Sequence, residues 1–228
     1  MLYIVGTPIG NLSDLSLRQA QTISIADIIL TEDTRSTGIL LNKIKELFKL
    51  ELNPNQRLIS YYREKEFEKL PEVLKLLEGD NEVVLISESG MPLISDPGGL
   101  LVKEVIKRKI PYTVVPGPTA AITALIHSGF KNNKFMFLGF LPKKESELFK
   151  LIDRMKRHSA VEKDLVYIFY ESPQRVNKTL ELLDQNVPDA EVVIARELTK
   201  KFEEIVRGNP RDLNKRNYKG ELTITIKL

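Results

Sequence analysis

Short apolar runs alternate with amphipathic stretches along the first half of the chain. In the amphipathic stretches, apolar residues recur every three or four positions, as they do on one face of a helix. The runs predict five strands: Leu2–Val5, Ile28–Leu30, Arg57–Ser60, Val83–Ile86 and Tyr112–Val115. Repeated strand–helix units predict a mainly parallel sheet that is covered by helices on both faces.

The second half of the chain has a less regular pattern. Helices are predicted over 119–126, over about 145–157 and from about residue 174, and strands over Phe135–Leu138, Leu165–Phe169, Val192–Ala195, Glu203–Arg207 and Leu222–Lys227. A polar segment joins the last two strands where a helix would be expected, so this sheet is predicted to be mixed. The sequence therefore predicts an α/β protein with two domains, 1–116 and 117–228, divided where two prolines flank Gly117.

Composition narrows the class of protein. The 228 residues are 42% apolar and include no cysteine, which excludes disulfides, thiolate metal sites and a cysteine nucleophile. The stretch from Ile110 to Phe130 is uncharged and long enough to suggest a membrane span. Pro111, Pro116 and Pro118 interrupt it, so we interpret it as a buried strand, a turn and a buried helix. We expect a soluble, cytoplasmic protein without a signal peptide.

Positive charge is concentrated in the second half. The net charge of the whole chain is +3, yet residues 131–163 hold nine Lys/Arg against four Asp/Glu. Residues 196–219 hold eight against four. Such segments either bind a polyanion or form solvated helix faces, and the pattern leaves both interpretations open.

Two loops follow predicted strands directly and are rich in chain-bending residues. Residues 87–99 (SESGMPLISDPGG) connect a strand to a helix, and residues 6–11 (GTPIGN) follow the first strand. A loop of the first kind either holds a ligand at the edge of an open sheet or forms a well-capped turn. The second loop is neither a P-loop nor a dinucleotide-binding glycine motif, and it is typical of a tight turn.

Charged residues cluster after three predicted strands, at 32–35 (EDTR), 170–175 (YESPQR) and 196–200 (RELTK). Asp33 or Thr34 can also be explained as a helix N-cap, but that leaves Arg35 unexplained. Taken together, the three clusters favour a cleft lined by acids and arginines. The chain lacks a G-x-S-x-G motif, and neither His127 nor His158 has the context of a catalytic triad. A histidine metal site is not expected, whereas carboxylate-bound Mg²⁺ stays open.

Six motifs, in this order, resemble one family. They are Gly6–Leu12 (GTPIGNL), Glu32–Arg35 (EDTR), Pro92–Gly98 (PLISDPG), Pro116–Thr119 (PGPT), Phe169–Pro173 (FYESP) and Ala195–Lys200 (ARELTK). The chain resembles the ribosomal RNA methyltransferase branch of the tetrapyrrole methylase superfamily over nearly all of its length. The resemblance implies two α/β domains with S-adenosylmethionine (SAM) in the cleft between them, and a homodimer. It further implies methylation of the ribose 2′-hydroxyl of a cytidine in the decoding centre of 16S rRNA, in the small ribosomal subunit.

The resemblance also implies roles for particular residues. Those expected to bind the cofactor are Pro8, Gly10, Ser87, Glu88, Ser89, Gly90, Met91, Pro92, Leu93, Ile94, Thr119, Ala120, Tyr170, Ala195, Arg196, Glu197, Lys219, Gly220 and Glu221. The catalytic candidates, with the general base unassigned, are Glu32, Asp33, Arg35, Glu171, Arg196 and Glu197. The family commonly has threonine where this chain has Met91, which removes a hydroxyl that could bind SAM.

The sequence is also compatible with two other functions. One is a tetrapyrrole C-methyltransferase on the same fold, and the other is a non-catalytic RNA-binding assembly factor. The basic second half of the chain and the EDTR and FYESP loops favour the rRNA enzyme over the first alternative, and SAM binding would separate it from the second.

Overall fold

The computed structural model describes residues 1–131 and 133–228. The chain divides into two compact units, Met1–Thr119 and Ala120–Leu228. The domain boundary predicted from the sequence lies slightly earlier, after Pro116. Each unit contains one five-stranded sheet with helices, so the predicted α/β class is confirmed.

The sheet of the first unit is entirely parallel. Its strands are β1 (Leu2–Val5), β2 (Ile28–Thr31), β3 (Arg57–Ser60), β4 (Val83–Ile86) and β5 (Tyr112–Val115). Their order across the sheet is β3-β2-β4-β1-β5. The three inner strands are almost wholly buried, because helices cover both faces, and this burial explains why they read as continuous apolar runs.

Four helices cover this sheet. They are α1 (Leu17–Ile25), α2 (Thr34–Phe48), α3 (Glu66–Glu78) and α4 (Gly99–Lys107). Helices α1 and α2 pack on one face, whereas α3 and α4 pack on the other. Alternate side chains of each strand supply the two cores, since successive residues of a strand point to opposite faces.

Ser16 caps the start of helix α1. Its hydroxyl accepts a hydrogen bond from the backbone N–H of Gln19, and its own backbone N–H donates to the side-chain oxygen of Gln19. Such a reciprocal pair satisfies two N–H groups at a helix start. The sequence pattern predicts Ser13 or Asp14 as the cap of a helix whose inner face carries Leu17, Ala20 and Ile23. This prediction is wrong, because the cap is Ser16. Ser13 and Asp14 lie in a short 3-10 turn that Asn11 caps.

The sheet of the second unit is mixed, as predicted. Its strands are β6 (Lys134–Phe140), β7 (Leu165–Glu171), β8 (Glu191–Arg196), β9 (Glu204–Gly208) and β10 (Leu222–Lys227). Their order is β6-β7-β10-β8-β9, with β6 and β7 parallel and the other pairs antiparallel. The last of these strands, β10, lies at the centre of the sheet, and its residues are almost all buried.

The helices of the second unit are α5 (Ala120–Ser128), α6 (Glu145–Val161), α7 (Val176–Asn186) and α8 (Pro210–Leu213). Helices α6, α7 and α8 pack on the larger core, and α5 packs against alternate residues of β7 on the other side. Helix α8, which is only four residues long, was not predicted from the sequence. Its signal was present, since Asn209 caps the helix and Pro210 begins it.

The uncharged stretch from Ile110 to Phe130 forms β5, a turn and α5, as predicted. Its burial is less complete than predicted, because β5 is an edge strand on which Tyr112 and Val114 are exposed. In α5, Ile126 is 69% exposed. Across residues 1–131 and 133–228, no helix has the length and apolar character needed to cross a bilayer.

Candidate functional site

The strand order of the first unit predicts a crevice at the carboxyl ends of its central strands, β1 and β4. After β1 the chain crosses over β4 to reach β2, whereas after β4 it crosses over β1 to reach β5. The helices of these two connections, α1 and α4, lie on opposite faces of the sheet. The connections that follow β1 and β4 therefore run to opposite faces of the sheet, and such a switch point is where open α/β sheets bind their ligands.

The loops after β1 and β4 are joined by backbone hydrogen bonds. The N–H of Thr7 donates to the carbonyl of Gly90 at 2.8 Å, and the N–H of Gly90 donates to the carbonyl of Thr7 at 3.2 Å. The hydroxyl of Ser87 also donates to the Gly90 carbonyl, at 3.0 Å. The structure thus joins the loop that carries Pro8 and Gly10 to the loop that carries residues 87–94, through Thr7 and Gly90.

Met91 fills the space where two glycines pass each other. A Cβ on Gly6 would lie 2.6 Å from the Met91 sulfur and 2.8 Å from Cα of Gly117. The N–H of Gly117 donates to the same sulfur at 3.2 Å, and the side-chain amide of Gln19 donates to the Gly6 carbonyl at 2.7 Å. Met91 therefore stabilises the close approach of the two segments, and the expected loss of a SAM contact at this position stays a prediction.

Glu32, Glu88 and Asp96 form an acidic group beside this crevice, after β2 and β4. Burial, reinforced by the charges of Asp96 and Glu88, raises the pKa of Glu32 to about 7, although the positive charge of Arg63 opposes the rise. Burial likewise raises the pKa of Asp96 to about 6, against a hydrogen bond with Ser87. A carboxyl group that titrates near neutral pH suits general acid–base chemistry. Throughout the described ranges, no three or more His, Cys, Asp or Glu side chains are arranged to hold a metal ion.

Asp33 caps helix α2, as one of the sequence alternatives proposed. Its Oδ1 accepts a hydrogen bond from the backbone N–H of Arg35 at 2.7 Å, and its Oδ2 accepts one from the Ser36 hydroxyl at 3.4 Å. The Arg35 side chain is exposed in the first turn of the helix and makes no ion pair with the described residues. Asp33 is thus engaged in the helix, whereas Arg35 is available to bind an anion.

Two charged residues that were not predicted as site residues follow β3 at the same edge of the sheet. The guanidinium of Arg63 donates to the Ser95 carbonyl at 3.1 Å. Glu66 Oε1 accepts hydrogen bonds from the backbone N–H groups of Gly98, Leu100 and Leu101 at 3.1, 2.9 and 3.3 Å. The rule that selected charged residues after β2 would have selected these as well, because the carboxyl ends of parallel strands share one edge.

Replacing Glu66 with alanine is expected to lower the free energy of unfolding by about 1–3 kcal/mol, because the start of α4 loses its only side-chain acceptor in the described structure. Urea denaturation measures the change. The matched variant Glu66→Gln keeps an acceptor oxygen and should lose less. Equal stability of the alanine variant and the parent chain would contradict this role for Glu66.

In the second unit, Glu171 ends β7 and its side chain is fully buried. Its Oε1 accepts a hydrogen bond from the N–H of Ser172 at 2.8 Å, and its Oε2 accepts one from the hydroxyl of Thr179 at 2.7 Å. Arg175 lies 3.4 Å from Oε2 and also donates to the carbonyls of Leu141 and Pro142. These contacts tie α7 to the sheet and favour a positioning role for Glu171, whose predicted catalytic role stays a prediction.

The loops after β8 and before β10 meet through Glu197. Its Oε1 accepts hydrogen bonds from the N–H of Glu221 at 2.9 Å and from Lys200 at 3.0 Å. The Glu221 N–H and the positive charges nearby hold the pKa of Glu197 below its usual value. Gly220 has a φ of 85°, which favours glycine, and a Cβ there would lie 2.5 Å from this oxygen and displace the Glu197 side chain. The structure therefore brings Glu197 together with Lys219–Glu221.

The remaining predicted residues lie at the same end of the second sheet or at the point in the chain where the first unit ends and the second begins. Tyr170 and Ala195 flank Thr223 on neighbouring strands. Arg196 donates to Glu204 at 3.0 Å and to the carbonyl of Lys219. Thr119 ends the first unit, and Ala120 begins the second.

Comparison with known proteins identifies the class to which this chain belongs. The family described as Tetrapyrrole (Corrin/Porphyrin) Methylases matches residues 1–214. The chain therefore belongs to the tetrapyrrole methylase family.

Curated relatives specify the branch. Ribosomal RNA small subunit methyltransferase I of Hydrogenobaculum sp. (strain Y04AAS1) is 43% identical, with 99% of this chain and 94% of that protein covered. The protein of the same name from Thermotoga maritima is 38% identical, with 99% and 97% covered. The resemblance inferred from the six motifs is confirmed.

Solved structures show the same fold at low sequence identity. The methyltransferase CobJ superposes with a TM-score of 0.71 at 17% identity, covering 99% of this chain and 93% of that one. Diphthine synthase superposes with a TM-score of 0.73 at 12% identity, covering 100% and 88%. These likenesses confirm the predicted fold.

Proposed function

We propose that this chain is a SAM-dependent methyltransferase that modifies the ribose 2′-hydroxyl of a cytidine in the decoding centre of 16S rRNA. The names of relatives that are 43% and 38% identical over nearly the whole chain support an rRNA substrate. The observation that carries the proposed chemistry is Glu32, a carboxyl group with a pKa of about 7 at the edge where the loops after β1 and β4 meet.

The chemistry of the crevice in the first unit suits SAM. This cofactor supplies an electrophilic methyl group on a positively charged sulfur. Glu88 and Asp96 provide negative charge beside the crevice, and the backbone of residues 87–94 offers carbonyl groups. The predicted contacts of Thr119, Ala120, Tyr170, Ala195–Glu197 and Lys219–Glu221, and the cofactor position between the two domains, are part of this proposal.

Among the acidic candidates, Glu32 is best suited to accept the proton of the 2′-hydroxyl. Asp33 caps α2, Glu171 is buried with both oxygens engaged, and the pKa of Glu197 is lowered, which makes it a weaker base. Removing the hydroxyl proton would make the ribose oxygen a stronger nucleophile. As this oxygen bonds to the methyl carbon, the methyl–sulfur bond would break and the sulfur would leave as a neutral thioether. The proton stays on Glu32 until it is released to solvent.

Arg35 is proposed to orient a phosphate or ribose of the substrate, because its exposed guanidinium makes no ion pair with the described residues. We expect Arg35→Ala to lower the rate of methyl transfer by about 10–100-fold, the effect of misplacing a bound substrate, with little change in SAM affinity. Single-turnover kinetics and calorimetric SAM titration measure the two quantities. Arg18→Ala, which removes an exposed arginine in α1, is the control. Equal losses in rate and SAM affinity would rule out this role.

The proposed function is tested by incubating the protein with methyl-labelled SAM and small ribosomal subunits, followed by nuclease digestion and mass spectrometry. One 2′-O-methylcytidine in the decoding region is expected. SAM binding without labelled rRNA, together with methylation of a precorrin, would favour the tetrapyrrole alternative. Absence of both SAM binding and label would favour an assembly factor. The proposed homodimer and cytoplasmic location are tested by sedimentation and by cell fractionation.

A further inference from the structure

The two basic segments of the second unit differ in how their charges are paired. Between residues 196 and 219, most cations contact an acid within 4.0 Å. The pairs are Arg196–Glu204, Arg216–Glu204, Lys200–Glu197, Lys200–Glu221, Arg211–Asp184 and Lys215–Asp212. Five of the eight cations in this segment are therefore engaged with acids, whereas Lys201, Arg207 and Lys219 have no ion pair with the described residues.

Helix α6 has a different arrangement. A shallow groove along it is lined by Pro142, Glu147, Lys150, Asp153, Arg154 and Arg157. Its two acids are already paired, Asp153 with Arg157 at 2.8 Å and Glu147 with Lys144 at 3.7 Å. Lys150 and Arg154 are exposed and have no ion pair with any residue in 1–131 or 133–228. Four residues apart on a helix, they lie on one face about 6 Å apart along its axis.

An exposed aromatic residue lies just before the groove-lining segment in the chain. Phe140, two residues before Pro142 in the chain, is 59% exposed, and its ring meets the edge of the Tyr170 ring at 5.5 Å. The pairing of β6 with β7 shifts at this point, where Gly139 has a φ of 64°. Arg175 donates to the carbonyls of Leu141 and Pro142 at 3.0 Å, which stabilises the segment that follows.

We propose that the α6 groove and Phe140 together bind a single-stranded segment of RNA. Lys150 and Arg154 contact phosphates, and Phe140 stacks on a base, the combination by which proteins hold single-stranded nucleic acids. The paired cations of residues 196–219, such as Arg211 and Lys215, contribute little to binding. This assignment rests on the proposed function, to which it adds the docking surface for the RNA substrate.

The test measures the affinity of the full chain for a short, fluorescently labelled single-stranded RNA as salt is raised, without cofactor. The double variant Lys150→Gln/Arg154→Gln is expected to reduce the slope of log affinity against log salt by about 1.4, because each lost phosphate contact removes about 0.7. The control Arg211→Gln/Lys215→Gln also removes two exposed cations and should leave the slope unchanged. Phe140→Leu should weaken binding by roughly 5- to 150-fold with the slope unchanged.

Equal slopes in the two double variants would overturn the proposal. So would normal RNA affinity in Phe140→Leu accompanied by a change in sedimentation, which would assign the ring to contact with a second copy of the chain. Unchanged thermal unfolding verifies that the variants are folded. The assay does not depend on methyl transfer, so labelled rRNA with no slope change would reject only the docking surface. A reduced slope without labelled rRNA would reject only the proposed reaction.

Discussion

Replacing Glu32 with glutamine is expected to lower the rate of methyl transfer by about 10²–10⁴-fold, the contribution usual for a general base. Glutamine keeps the size of the side chain but cannot accept the proton. SAM affinity should fall far less, because Glu88 and Asp96 retain the negative charge of the crevice. Single-turnover assays with labelled SAM, together with calorimetric titration, separate the two effects.

The pH profile provides an independent test of the same residue. Since Glu32 acts as a base only when ionised, the rate should rise with pH through about 7, and the glutamine variant should lack this rise. Asp96→Asn should move the rise to lower pH, because the charge of Asp96 helps to raise the pKa of Glu32. A wild-type profile in Glu32→Gln would exclude Glu32 as the base.

As the pH rises through about 7, the free energy of unfolding should fall while the rate of methyl transfer increases. A carboxyl group whose pKa is raised in the folded state favours folding while it is protonated, and that contribution is lost as the pH rises through about 7. Above this pH the ionised Glu32 is a destabilising charge. Glu32→Gln is therefore expected to unfold at a higher temperature than the parent chain at pH 8, with the difference shrinking toward acid pH.

Gly6→Ala is expected to lower the free energy of unfolding by about 1–3 kcal/mol and to weaken SAM binding. The added Cβ would lie 2.6 Å from the sulfur of Met91 and 2.8 Å from the backbone of Gly117. The methionine side chain can move, whereas the glycine backbone cannot move without displacing the loop. The segments that carry Pro8 and Gly90 would then separate, and both are proposed cofactor contacts.

Gly38→Ala is the matched control, since nothing lies within 4 Å of a Cβ at this position in α2. Alanine is favoured over glycine inside a helix, so this variant should gain up to about 1 kcal/mol. Urea denaturation and SAM titration of both variants provide the measurements. If the Gly6→Ala variant were as stable as the parent chain, the space between residue 6 and Gly117 would be large enough for a methyl group, which would contradict this prediction.

Local patterns predicted most of the fold. The bounds of β3, β4, β5 and β10 match the predicted ones, because each strand is a short run bounded by turn residues or charges. The start of α1 and the four-residue α8 were missed, since a cap depends on which of several hydroxyls reaches the backbone. The order of strands in each sheet did not follow from periodicity, because the pattern within a strand carries no information about its neighbours.

The candidate site likewise has features that the sequence predicted and features that only the tertiary structure revealed. Sequence motifs were enough to select the loops after β1, β2 and β4 and to indicate the family, because glycine spacing and charged residues at strand ends are local features. The pKa values and hydrogen bonds that distinguish one acidic residue of the site from another depend on burial and on residues distant in the chain. Asp96 and Glu88 raise the pKa of Glu32, and Glu66 holds the N–H groups of α4. Burial, electrostatic fields and the pairing of charges in residues 196–219 arise from these long-range contacts, so folding in three dimensions was needed to reveal them.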